Sequence, residues 1–335
     1  MTAAKTATAA KTAGAQLEAQ VAASLTESGG EVASRFYDPA SVSATRALLD
    51  EMNAAPNRTM GQNFLVSGDV LDRIVATAGL SSDDEILEIG PGLGSLSCRL
   101  LRASRRVVAI EKDPQLVALL KRHLATPRFH LIGGDALRVD WDELDLPREN
   151  VRVVANLPYS ISKPVLRRLL EEWRAHFSSL TLLLQREVAD RLVAAPATPA
   201  YGPMALMTQL HSEAKRVFDV KPGSFWPSPS VTSSVVHINV RQTPRLHLND
   251  ERFFWLIVRA AFGQRRKQLG NTLRALTPDR EMLNRTLQNA QIDPMRRGET
   301  LSLEEFARLS NDWPQPELLN RAALTQSEEL TSAND

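Results

Sequence analysis

Between residues 69 and 185, short apolar runs alternate with longer stretches of helical periodicity, and this alternation constrains the fold more than anything else in the chain. Val70, Leu71, Ile74, Val75 and Ala78 recur at helical spacing, and Gly79 follows where a helix would close. EILEI (85–89), VVAIE (107–111), FHLIGGD (129–135), VRVVANLPY (151–159) and SLTLLLQ (179–185) read as strands. PQLVALLKRHL and PVLRRLLEEW read as helices between them, and Pro114 suits the first turn of the former. Strands alternating with helices in this way specify βαβ units. The class is therefore α/β, with a Rossmann-like, mainly parallel sheet carrying helices on both faces.

VVHINV (235–240) reads as one more strand, and after Pro244 the texture changes. ERFFWLIVRAAF and EMLNRTLQNA have helical periodicity and no strand signal follows, which predicts a small all-helical domain. The expected division is a mobile N-terminal extension over 1–50, a catalytic α/β domain over 51–240, a helical domain over 241–313 and a mobile tail over 314–335. The first fifty residues are rich in Ala, Thr, Ser and Gly and lack the apolar core of a signal peptide, so a solvated extension is favoured over a targeting sequence. No run of about 18 apolar residues is present, so a membrane span is not expected. The single cysteine, Cys98, excludes an intrachain disulfide and a thiolate-rich metal site, and no metal is expected; a reducing, cytoplasmic setting fits. A net charge of +1 names no partner, so any nucleic-acid contact has to come from local clustering of Lys and Arg.

In an open α/β sheet, ligands bind beyond the carboxyl ends of the strands. The conspicuous residues of this chain fall at those ends. Gly90-Pro91-Gly92-Leu93-Gly94 leaves a strand and opens a helix; glycines there let the backbone turn tightly and approach a ligand. Glu111 ends the next strand, where a carboxylate matches the two hydroxyls of a ribose. That pair suits a nicotinamide enzyme and a methyltransferase equally. Asp135 closes the third strand, either as an acceptor for an adenine amine or as the cap of the following turn.

Asn156-Leu157-Pro158-Tyr159 discriminates between the classes. An adenine exocyclic amine is a poor nucleophile because its lone pair is delocalised into the ring. A site can help by accepting hydrogen bonds from both N–H groups, with the Asn156 side-chain oxygen as one acceptor. The Leu157 carbonyl serves as the second, since Pro158 keeps Leu157 extended. Tyr159 would stack on the base. Placement and electrostatics around the amine then carry the rate, without a tuned general base. Gly61-Gln62-Asn63-Phe64-Leu65 is placed to fold over a cofactor. Phe225, in the proline-bracketed stretch 220–227, is the candidate second wall for the base, while Trp226 suits a substrate contact or a seam plug equally. Arg265, Arg266 and Lys267, continuing to Arg274 and supported by Arg296 and Arg297, are read as one helical basic face for phosphates or as a solvated face.

These residues resemble those of the ribosomal RNA adenine N6-dimethyltransferases, and within them the bacterial small-subunit (16S) branch known from kasugamycin resistance. The resemblance runs from about Gly61 to Leu309. It rests on GQNFL, EIGPGLGSLS, Glu111, GGDA, NLPY, QREVADRL, FWPSPSVTSSVV, AFGQRRKQLGNTL and IDPMRRGETLSLEEFARLS. It implies a monomeric enzyme using S-adenosyl-L-methionine to dimethylate two adjacent adenosines in a hairpin near the 3′ end of 16S rRNA, on a nearly complete small subunit. It also implies a part in ribosome assembly. Cofactor contacts then fall on Asn63, Leu65, Gly90, Gly92, Glu111, Asp135 and Asn156. The target base is held by Asn156, Leu157, Pro158, Tyr159 and Phe225, and the RNA by Arg265, Arg266, Lys267 and Arg274. Gly270, Gly298 and Trp226 depart from the family pattern. The alternatives are the 23S rRNA, macrolide-resistance branch, an assembly factor whose catalysis is incidental, and a nicotinamide dehydrogenase.

Overall fold

The computed structural model describes residues 37–57, 60–264 and 266–314. The extension expected over 1–50 lies outside the described residues as far as residue 36, and so does the expected tail from residue 315 onward. Two units are present. The first takes the chain up to Arg186 together with Val217–His237; the second takes Glu187–Arg216 and the chain from Ile238.

Most of the first unit's strands belong to a seven-stranded sheet. In chain order the first elements are α1 (Val42–Glu51), β1 (Phe64–Leu65), α2 (Gly68–Ala78), β2 (Glu85–Ile89), α3 (Ser95–Ala103), β3 (Arg106–Glu111) and α4 (Pro114–His123). They are followed by β4 (Phe129–Gly133), β5 (Val151–Asn156), α5 (Ser162–Arg167), β6 (Phe177–Gln185), α6 (Arg186–Leu192) and α7 (Pro203–His211). Then come β7 (Ser212–Val220), β8 (Phe225–Trp226) and β9 (Ser233–Val240). The sheet order is β4-β3-β2-β5-β6-β9-β7. The β2–β3, β2–β5, β3–β4 and β5–β6 pairings are parallel, as the βαβ pattern predicts. Strands covered on both faces need apolar side chains throughout, and Ile86, Leu87, Val107, Val108, Val153 and Val154 are all fully buried. The exception is Glu88, a carboxylate at 1% exposure in the middle of this run.

Within the range expected to be an extension, residues 37–50 are built into the first unit. The Ser41 side chain caps α1, and Leu49 packs with Phe64, Leu93, Leu116 and Leu119. Trp226 packs against the same group, with the Arg46 guanidinium 5.3 Å above its ring. Burial of these few apolar side chains outweighs the Ala- and Ser-rich composition that reads as mobile.

The second unit adds α8 (Glu251–Phe262), α9 (Leu269–Thr272), α10 (Arg280–Asn289) and α11 (Leu303–Asn311) to α7. Its core joins Tyr201, Leu206 and Leu210 to Phe253, Phe254, Ile257, Phe306 and Trp313. The Tyr201 hydroxyl donates to the Leu301 carbonyl at 2.8 Å, and the Ala197 N–H to the Glu299 carbonyl at 2.8 Å. This is why residues 187–216 side with the helical unit, whereas the sequence alone suggests a single break near residue 241.

Gly270 and Gly298, singled out in the sequence, sit in this unit. A Cβ on Gly298 would meet the Ala261 carbonyl oxygen at 2.7 Å and its carbon at 2.9 Å, so the chain passes against the backbone of α8 with no room for a side chain. Gly298→Ala is therefore expected to cost about 1–3 kcal/mol through overpacking, read as a lower melting temperature. Gly270 faces Pro294, whose Cβ lies 3.3 Å from where a side chain would begin.

Candidate active site

Moving out from β2 along the sheet, β3 and β4 follow on one side and β5 on the other, so the chain's winding reverses between β2 and β5. In such sheets the crevice outside the carboxyl ends of the two strands is the binding place. A cleft of about 400 Å³ lies there. Its walls come from the Met60–Leu65 strap, Glu88, the 90–93 turn, Glu111 with Lys112, and Asn156–Ile161.

The glycine turn has the backbone that its residues predict: Gly90, Gly92 and Gly94 take φ of +68°, +60° and +84°, in the left-handed region. Gly90 also answers a packing demand, since a Cβ there would come within 3.1 Å of the Pro158 ring. The lack of a side chain at residue 90 lets the turn after β2 and the turn after β5 approach each other closely.

Glu111 is 7% exposed. Its Oε2 accepts from the Gly92 N–H at 3.1 Å and its Oε1 from the Asp113 N–H at 2.9 Å. Burial pushes its carboxyl above the ordinary range, and these N–H donors oppose that push. Both oxygens are thereby oriented at the cleft wall, as recognition of a diol requires.

Asn156 ends β5, where the backbone is fixed by pairing with Leu183 of β6. Leu157 is buried and its N–H donates to the Leu183 carbonyl at 3.2 Å. Tyr159 is half-buried, its hydroxyl hydrogen-bonded to Ser233 Oγ. Burial raises its ionisation, so the phenol stays neutral and its ring is tethered at the far end. Over the opening, the Ser160 hydroxyl donates to the Met60 carbonyl at 3.0 Å and Gln62 Nε2 donates to Asp113 Oδ2 at 2.9 Å. Asn63 Nδ2 donates to the Gly61 carbonyl at 3.0 Å, and β1 pairs antiparallel with β8. The strap is thus fastened to both of the turns it crosses.

Of the residues singled out in the sequence, the cleft brings together Asn63, Leu65, Gly90, Gly92, Glu111, Asn156, Leu157, Pro158 and Tyr159. Asp135 is not among its lining residues. One of its oxygens caps the next turn through the Leu137 N–H at 3.0 Å, and the other accepts from Lys112 Nζ at 2.9 Å. The lysine holds its carboxyl below the usual range. Phe225 is only 3% exposed, pairs with Leu65 and packs among Leu183, Val220 and Val235 in the core rather than on the cleft wall.

The basic run is not one helical face. Arg265 lies outside the described residues, and Arg266 and Lys267 are exposed on a turn between α8 and α9. α8 ends at Phe262, and Leu269 and Gly270 open α9 with their otherwise unpartnered N–H groups donating to the carbonyls of Arg296 (2.8 Å) and Pro294 (3.0 Å). Arg274 is exposed beyond that break. Arg296 is committed internally, to Glu305 Oε2 at 3.0 Å and the Thr300 carbonyl at 2.6 Å. Among the described residues no group of three His, Cys, Asp or Glu side chains is placed to hold a metal ion.

Glu88 is the cleft residue that the sequence reading passed over. Its signal is a carboxylate inside an otherwise apolar parallel strand. The Ser97 hydroxyl donates to its Oε2 at 2.6 Å, yet burial pushes its carboxyl up to about 8. A carboxylate raised in this way is protonated in the folded chain while already ionised in the unfolded one. The contribution of Glu88 to the stability of the ligand-free protein is therefore largest below about 4.5 and falls as pH rises towards about 8. Glu88→Gln should remove that slope, which melting temperatures across this interval would record.

Comparison with known proteins agrees with this geometry. The family model described as ribosomal RNA adenine dimethylase matches residues 53–311. The chain is 41% identical over 269 residues to a Clostridium acetobutylicum protein named ribosomal RNA small subunit methyltransferase A, covering 80% of this chain and 97% of that one. It is 44% identical over 268 residues to the protein of the same name from Magnetococcus marinus, covering 79% and 95%. A dimethyladenosine transferase from Plasmodium falciparum superposes with a TM-score of 0.64 at 24% identity, over 73% of this chain and 95% of that one. The 23S rRNA methyltransferase ErmE gives 0.59 at 25% identity, over 76% and 100%.

Proposed function

The chain belongs to the ribosomal RNA adenine dimethylase family, and on that premise we propose that it uses S-adenosyl-L-methionine to dimethylate N6 of two adjacent adenosines near the 3′ end of 16S rRNA, within the small ribosomal subunit. One observation carries the reading: Asn156-Leu157-Pro158-Tyr159 opens into the same cleft as the glycine turn and Glu111. A nicotinamide dehydrogenase would need the last two but has no use for the first.

The residues fit the cofactor. Glu111 would take the ribose diol, the glycine turn would lie against the ligand through its bare backbone, and Glu88, protonated without ligand, would release its proton to pair with the ammonium group. Asn63 and Leu65 would close over it from the strap, with Asp135, held by Lys112, towards the adenine amine. S-adenosyl-L-methionine supplies an electrophilic methyl group on a sulfonium. The protein's own part is to place the target amine opposite it. Asn156 Oδ1 and the Leu157 carbonyl accept the two N–H groups, which localises the nitrogen lone pair towards the methyl. The ring of Tyr159, tethered through Ser233, supports the face of the base. Arg266, Lys267 and Arg274, with Arg265, would contact phosphates of the RNA.

The small subunit is favoured over the 23S alternative because relatives named for it, 41% and 44% identical, match 80% and 79% of this chain. Among the described residues no helix is long and apolar enough to cross a membrane. Primer extension over both rRNAs from a strain lacking this protein tests the choice of substrate. Loss of the two stops near the 3′ end of 16S rRNA is expected, and an unchanged 16S pattern with a lost 23S stop would overturn it.

A further inference from the structure

Tyr37 and Asp38 stand ahead of the span that the family model matches, yet they are tied to the glycine turn and to the helix it opens. The Tyr37 hydroxyl donates to the Leu93 carbonyl at 2.6 Å. Its ring stacks on His123 with centroids 4.8 Å apart, and its edge lies 3.4 Å from where a Cβ on Gly94 would sit. Asp38 accepts from Arg99 Nη1 and Nη2 at 2.9 and 3.1 Å, and Arg99, on α3, also reaches Asp72 through Nε at 2.7 Å.

Gly94 closes this turn at φ +84°, a conformation that a residue without a side chain adopts without strain, so the Leu93–Gly94 peptide depends on its hydrogen bonds for its orientation. The peptide is held in one orientation from both ends. Its carbonyl accepts from Tyr37, and its N–H donates to the Pro91 carbonyl at 2.9 Å. Leu93 itself lines the cleft. Burial raises the ionisation of the Tyr37 phenol, so the hydroxyl keeps its proton and remains a donor.

We propose that Tyr37 is a positioning residue for the cofactor: by fixing the Leu93 carbonyl it holds the glycine turn in its binding conformation before the ligand arrives. The proposal rests on the reading that this cleft takes S-adenosyl-L-methionine. Without the hydroxyl, part of the cost of ordering the turn falls on ligand binding and lowers apparent affinity. Tyr37 touches neither the transferred methyl nor the target base, so the chemical step itself is left as it was.

The test uses the full-length chain as wild type, Tyr37→Phe and Asp38→Asn. Titration calorimetry with S-adenosyl-L-methionine is set beside methyl transfer to unmethylated small subunits at varied cofactor concentration. Tyr37→Phe is expected to raise both Kd and cofactor KM roughly three- to tenfold, with kcat at saturating cofactor within about twofold of wild type. Asp38→Asn loosens the same segment without touching Leu93, and is expected to lower the melting temperature while leaving cofactor KM in place. An unchanged KM in Tyr37→Phe, a fall in kcat alone, or an equal rise in KM in Asp38→Asn would each overturn the assignment. Failure of the wild type to bind the cofactor would instead overturn the reading of the cleft, and the assignment with it.

Discussion

Asn156→Ala is expected to lower the rate of methyl transfer at saturating substrates by about 10²–10³-fold, the size of effect seen when one preorganised hydrogen-bonding group is taken from a transition-state site. The amine of adenine gains nucleophilicity only as its lone pair leaves the ring. An acceptor for one of its N–H groups gains strength along that path, so its removal acts on kcat. Asn156 is suited to this because its backbone is locked in β5, paired with Leu183, and because Pro158 beyond it is packed against Gly90. Single-turnover transfer with preformed complex separates this from binding. The Kd for cofactor should move by less than about tenfold, as one neutral hydrogen bond allows. A variant that loses only affinity would place Asn156 in the cofactor pocket and leave the amine unassisted.

The second large effect is on binding. Glu111→Ala removes two acceptor oxygens from the cleft wall and leaves the Gly92 and Asp113 N–H groups without their acceptors. Hydrogen bonds to a charged group are worth about 1.5–3 kcal/mol each, so a pair lost from the ribose weakens the cofactor by about 10²-fold or more. Calorimetry should find this loss where the wild-type Glu111 is ionised and a smaller one as pH falls through its raised titration, with the rate recovered at high cofactor. Glu111 and Asn156 variants thus fail in different ways, one in Kd and the other in the transfer step, as expected of residues on opposite sides of one cleft.

The arrangement of the sheet is legible because buried parallel strands leave continuous apolar runs, and each of the five read between residues 85 and 185 corresponds to a strand. The rim of the cleft follows directly, since strand ends are set by where the apolar run stops. Other parts depend on contacts that a local pattern does not carry. β7 alternates Glu213, Lys215 and Val217 at exposed or half-exposed positions and carries little apolar signal. The Gln264–Gln268 run has good helix formers, yet α8 ends at Phe262 and a new helix opens only at Leu269, its first N–H groups held by the 294–296 segment. Phe225 reads as a loop aromatic free to meet a base, but the two-residue ladder with β1 draws it into the core. Glu88 was hidden by the opposite effect: a lone acid in a strand reads as tolerated polarity until its burial is known. Tyr37 stood in a composition that promises no structure at all.

The central claim is that this cleft carries S-adenosyl-L-methionine and presents a ribosomal adenine to it. The most direct measurement supplies methyl-labelled cofactor and the purified protein with small subunits from a strain lacking the modification. The rRNA is then digested to nucleosides and the labelled sites are mapped. The account predicts label in N6,N6-dimethyladenosine at two adjacent positions near the 3′ end of 16S rRNA, with none from the Asn156→Ala protein over the same interval. Label in a nucleoside other than N6-methyladenosine or N6,N6-dimethyladenosine, or none in small subunits under conditions where the cofactor is bound, would contradict it.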